Sequence, residues 1–98
     1  MITFPAKDPE EVLDYQLNWA DQVNGPRLVA GELLTGSTWV LDQGSVVIGV
    51  TSFTAAGVTT VWLSGGTIGE LVILANTVTT NQGRTYEKTC KLRIRDKI

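Results

Sequence analysis

Ile68-Gly-Glu-Leu-Val-Ile-Leu-Ala-Asn-Thr-Val-Thr-Thr80, Asn81-Gln-Gly-Arg84 and Thr85-Tyr-Glu-Lys-Thr-Cys-Lys-Leu-Arg-Ile-Arg95 are two β-type runs about a short polar turn. On the first run Val72, Leu74, Asn76, Val78 and Thr80 share a face. On the second, Cys90, Leu92 and Ile94 point one way, and Lys91, Arg93 and Arg95 the other. A period of two marks strands with one face in a core and one in water. The turn carries Gly83, so the runs read as a hairpin with a loop longer than two residues.

Working outward, Val58 to Ser64 is another strand, with Thr59, Val61 and Leu63 on one face and Val58, Thr60 and Trp62 on the other. Val46 to Phe53 is β-branched and apolar, with Gly49 inside it marking a bulge. Arg27 to Leu41 carries one or two strands; the better runs Leu33 to Leu41, with Leu33, Thr35, Ser37 and Trp39 on one face. Asn24-Gly25-Pro26 punctuates the turn before it. In Val12 to Trp19, Leu13, Tyr15, Leu17 and Trp19 alternate with Asp14, Gln16 and Asn18, which favours a strand over a helix. Asp8-Pro9-Glu10-Glu11 has the residues of a short helical turn, with Asp8 as its cap. Met1 to Pro9, held extended by Pro5 and Pro9, is expected to be an arm outside the domain formed by residues 10–98.

Six or seven antiparallel strands with a turn about every ten residues predict an all-β, immunoglobulin-like sandwich. Trp19, Trp39, Val61, Leu63, Val72, Leu74, Val78, Leu92 and Ile94 are its expected core. The 98 residues make one domain, with a hydrophobic fraction of 43% that is ample for a core.

Composition excludes much chemistry. There is no histidine, which removes Ser-His-Asp and Cys-His catalysis and most zinc and copper sites. Cys90 alternates with core residues and reads as an inert buried thiol; a single cysteine forms no intrachain disulfide, as suits a reducing compartment. Asp8, Glu10, Glu11 and Asp14 are acidic neighbours without the spacing of a calcium loop or material for a glycosidase cleft. Gly65-Gly66-Thr67-Ile68-Gly69 lacks the Lys-Ser/Thr ending of a phosphate loop. Net charge is −2, so no whole-domain basic footprint marks nucleic acid. No apolar run is long enough to span a bilayer, and the first residues lack a signal peptide's basic start and apolar middle. No catalytic residue, cofactor or metal site is expected.

What remains are contact residues. Lys88, Lys91, Arg93, Arg95 and Lys97 form a basic stripe, read either as a solvated sheet face or as a docking surface for an acidic partner. Trp62 points outward if Val61 and Leu63 point in; it then meets a partner or is covered by the chain's own arm.

Phe4-Pro5-Ala6-Lys7-Asp8-Pro9-Glu10-Glu11-Val12-Leu13-Asp14-Tyr15 with Trp19, Thr60-Val61-Trp62-Leu63-Ser64-Gly65-Gly66-Thr67, Asn76-Thr77-Val78-Thr79-Thr80 and Gly83-Arg84-Thr85 together resemble small virion structural proteins of tailed bacteriophages, including fibre-tail adaptors. The resemblance covers nearly the whole chain. Val72 and Cys90 stand where larger aromatic residues are usual. It implies a non-enzymatic, immunoglobulin-like part of the particle that brings no catalytic residues. A tail or connector adaptor touching portal, tail, fibre or capsid proteins, in multiple symmetric copies, is the first expectation. A capsid-surface decoration protein and a host- or carbohydrate-binding module using Trp62 and Tyr86 are the alternatives. The expected contact residues are Phe4 as the arm's anchor, Trp62, and Lys91, Arg93 and Arg95; neither nucleic acid nor a membrane is an expected partner.

Overall fold

The computed structural model describes residues 2–20, 28–29 and 31–96. Seven strands follow in chain order: β1 (Ile2–Thr3), β2 (Leu13–Asn18), β3 (Leu34–Gln43), β4 (Val46–Phe53), β5 (Val58–Gly65), β6 (Leu71–Thr80) and β7 (Thr85–Arg93). They form two sheets, β1-β7-β6-β3 and β2-β5-β4. Lettered A to G, these are A-G-F-C and B-E-D, the immunoglobulin-like arrangement with strand A on the G side; the buried Trp39 sits on the third strand, as in that fold. Every pairing is antiparallel except β1 on β7.

The hairpin read first from the sequence is β6–β7, paired from Leu71↔Arg93 to Thr79↔Thr85. Gly83 closes its loop with φ +77°, a conformation costly for any residue with a Cβ. The run begins at Leu71, not Ile68, because the Glu70 amide donates to the Thr67 carbonyl in a turn. All nine expected core residues are buried, joined by Phe4, Tyr15, Leu17, Leu28, Leu34, Val46 and Cys90. Burial pushes the Cys90 thiol up to about 11, so it stays protonated at neutral pH.

Three expectations change. The face assigned to Leu33–Trp39 is out of phase at its start. A bulge between Leu34 and Gly36 adds a residue, so Leu34 and Trp39 are buried while Leu33 is exposed. The segment Asp8 to Glu11 makes one capped turn and no helix. The Glu11 amide donates to the Asp8 carbonyl, while the Asp8 and Glu10 amides donate to the Glu11 and Asp8 carboxylates. The third concerns the arm. Ile2 and Thr3 pair with Cys90 and Lys91, the Phe4 amide donates to the Lys91 carbonyl, and Lys7 bridges Ile94. The first residues are therefore a strand of the sandwich, because β7 offers them an otherwise open edge. The Asn24-Gly25-Pro26 turn lies outside the described residues.

The bulge expected at Gly49 is present, between Ile48 and Thr51. Gly66 has φ +107°, and a Cβ there would lie 2.9 Å from Ile94, so this glycine is needed for close packing. Its neighbour's carbonyl, that of Gly65, accepts from Lys7 Nζ at 2.6 Å, and the Asp8 carbonyl accepts from the same amine at 2.8 Å. Lys7 is 0% exposed. Its amine reaches backbone acceptors, which is how a cation is kept in an interior.

Two carboxylates staple the loops. Glu32, with its side chain fully covered, accepts from Thr80 Oγ1 (2.7 Å), the Val29 amide (3.1 Å), Tyr86 (3.3 Å) and Arg84 (3.4 Å). Glu70 accepts from the amides of Ser45 and Thr67, both at 3.1 Å, and from the Ser45 hydroxyl. Burial alone would push both carboxyls up, but these hydrogen bonds outweigh it and hold both below the usual range. Groups depressed in the folded state stabilise it above their ordinary pKa, and that contribution disappears as pH falls through the folded value. Melting temperature is therefore expected to be level down to the ordinary value of 4.5 and to fall below it. An E32Q/E70Q variant starts lower and has a shallower acid limb, read by thermal melts across an acid series.

Candidate functional site: two outer sheet faces

A sandwich buries the inner face of each sheet and leaves the outer faces for contact. On the four-stranded sheet, register sets Thr3, Lys91, Ile73 and Gln43 in one row and Arg93 beside Leu71 in the next. Thr3, Leu71, Lys91, Leu92 and Arg93 line a shallow open cavity of about 250 Å³. The alternation of β7 puts the cations here, since Cys90 and Leu92 take the inner positions. Among the described residues, Lys91, Arg93 and Arg95 enter no ion pair or side-chain hydrogen bond. Arg95 is exposed past the strand's end, its amide donating to the Lys7 carbonyl at 2.8 Å.

The outer face of the three-stranded sheet centres on Trp62, 40% exposed. It lies opposite Asp14 of β2, and Val47, also exposed, lies opposite Ser64 of β5 on the same face. The β4 bulge places Gly49 beside Trp62, where an added Cβ would come within 3.7 Å of the Trp62 Cβ.

The structure brings Lys91 and Arg93 together and sets Trp62 on the opposite sheet. It takes Phe4 out of the set. Phe4 is 7% exposed, stacked on Tyr15 at 4.8 Å and tilted to Trp39 at 6.5 Å, so its anchorage is the chain's own core. Since β1 lies on β7, in the other sheet from Trp62, the N-terminal strand is not the cover for that indole. Lys88 occupies an inward position opposite Asn76 and leaves the stripe; Lys97 lies outside the described residues. Tyr86 stacks on Trp19 at 6.2 Å and donates to Glu32, so it shares no groove with Trp62. Thr3 and Leu71 were not singled out from the sequence. Only the parallel placement of β1 and the register of β6 carry them to the cations.

No group of three or more Cys, Asp or Glu side chains suited to a metal occurs among the described residues. Among the described residues, no helix is long and apolar enough to cross a membrane. No curated protein matches the chain. Residues 7–93 match a family model described as podophage GP4 fiber-tail adaptor protein gp77.

Proposed function

The chain belongs to the podophage GP4 fiber-tail adaptor family, and on that premise we propose that it is a rigid two-sided linker between tail and fibre. Its family is one of structural phage adaptors, components of the virion. The observation that supports a linker is the placement of the two contact faces. Trp62 is on the outside of one sheet, Lys91 and Arg93 are on the outside of the other, and a packed core lies between. Two neighbours can then be held at once without competing for surface. Trp62 supplies a large rigid aromatic to one, the kind of residue that dominates interface energies. The cationic face takes the other. Several copies act together around the tail, assembled in the host cytoplasm, and Arg95 extends the basic face past the end of β7.

The test separates the faces. Trp62→Ala is expected to weaken binding to one of the purified tail and fibre proteins by at least tenfold and to leave the other unchanged, while K91E/R93E does the reverse. Trp62 and Arg93 are exposed and Lys91 is half-buried on the outer face, so both changes should leave the melting temperature within a few degrees, as surface substitutions usually do. If both variants weaken the same partner, the two-sided reading is wrong.

A further inference from the structure

We infer that the cavity between β1 and β6 is a seat for an acidic, extended peptide segment of the partner, with carboxylates at alternate positions. This rests on the adaptor reading and names the chemistry of one of its contacts.

The cavity holds about 250 Å³, below the roughly 300–1,000 Å³ of sites for whole small molecules. Its size suits side chains, not a free ligand. Its lining pairs two cations with the aliphatic Leu71 and the Thr3 hydroxyl. Lys91 and Arg93 are two residues apart on one face, so their backbone positions are about 6.6 Å apart. An extended segment places its own alternate side chains at the same spacing, so acids at i and i+2 meet both cations in register. Arg93 offers a planar fork that suits a carboxylate, while Lys91 acts as a compact charge.

The charge pattern sets where such a segment can lie. Glu87 is four residues upstream on β7, on the same outer face, and accepts from Thr77 Oγ1 at 3.3 Å. It repels an acidic chain running that way, roughly 13 Å from Lys91 along the strand. The segment is therefore confined to the Lys91–Arg93 end, beside Leu71 and Thr3. Because these cations have no partner among the described residues, an incoming carboxylate displaces only water. Duplex nucleic acid is the less favoured occupant: this end of the face offers two cations, Arg95 beyond them and an acid at the other end, on a chain of net charge −2.

Binding is read by fluorescence anisotropy with a labelled peptide of alternating Glu and Val, its Gln counterpart, and a short DNA duplex. The wild-type chain is expected to bind the Glu peptide at least tenfold more tightly than the Gln peptide, with affinity falling as salt rises. K91E/R93E should lose at least tenfold, and Trp62→Ala should lose nothing. Equal binding of the two peptides, an unaffected K91E/R93E variant, or tighter binding of the duplex overturns the inference. Capture of purified tail and fibre proteins, run alongside, separates the two levels. If the wild-type chain and K91E/R93E capture both proteins equally, the acidic seat and the cationic contact face are both wrong, and only the general adaptor role stands. If the wild-type chain captures neither, the adaptor reading falls and takes the seat with it.

Discussion

Asn76→Ala is expected to cost about 3–5 kcal/mol of stability, because it would strand several buried polar groups at once. Asn76 is 0% exposed in the middle of β6. Its Oδ1 accepts from Trp19 Nε1 at 3.0 Å and from Thr59 Oγ1 at 2.7 Å. Its Nδ2 donates to Ser37 Oγ at 3.0 Å and to the Thr38 carbonyl at 2.9 Å. One amide therefore joins β2's end, β3, β5 and β6 across the sandwich. Truncation leaves the buried Thr59 hydroxyl without its acceptor and Trp19 Nε1 with only its longer 3.3 Å contact to Thr59, and it also removes the part-buried bonds to Ser37 and Thr38. Each stranded group costs about 1–3 kcal/mol. Domains of this size hold about 5–15 kcal/mol in all, so the loss is a large share. The melting temperature should fall by on the order of 20 °C. Thr59→Val removes one donor and leaves Asn76 its others, so it should cost about 1 kcal/mol. Urea denaturation of the two variants measures the difference. An Asn76→Ala cost below about 1 kcal/mol would show that water enters and takes over the network.

Phe4→Ala is expected to destabilise the folded chain by about 3–5 kcal/mol, the usual range for emptying a buried aromatic site. The ring fills the space between Tyr15 and Trp39, and its removal also loosens β1 from β7. Tyr15 is tied to the same segment, its hydroxyl donating to the Pro5 carbonyl at 3.1 Å. Burial, with a smaller push from the Glu11 carboxylate, raises that hydroxyl to about 12. A group raised on folding stabilises below its ordinary pKa of 10.0, and the contribution is lost as pH rises through the folded value. Phe4→Ala should therefore also soften the alkaline limb between those pH values. The effect of protein concentration is the decisive control. With Phe4 in its own core, the unfolding free energy is independent of concentration. If the ring anchored a neighbouring copy, stability would rise with concentration by mass action.

Much of this molecule is legible in its residues. The alternation in Val58–Ser64 and Thr85–Arg95 gives strands with the right faces, because a side-chain period of two is fixed by the pleat and needs no tertiary information. Gly83 and Gly49 mark the hairpin loop and the bulge for local steric reasons. The same alternation brings Lys91 and Arg93 to one outer face and Trp62 to another. At the start of β3 it misleads, since one inserted residue at the Leu34/Gly36 bulge reverses every assignment before it. The signal is absent where partners are far apart in the chain. Glu32 meets Thr80 and Tyr86 across separations of 48 and 54 residues, and nothing near Glu32 announces either.

Phe4 and Lys7 mark the boundary most clearly. Two prolines give the first residues an extended backbone, and an extended backbone is equally suited to a free arm and to a sheet strand. What decides between them is whether an edge is open, and that edge is β7, some ninety residues further along. The sequence alone determined that there would be strands, which way their side chains alternate and that no histidine chemistry is available, since each follows from local geometry or composition. Only the tertiary structure decided that the first strand closes the sheet and that Thr3 and Leu71 flank the cations. Both depend on which distant backbone groups still lack a hydrogen-bond partner once the rest of the chain has packed.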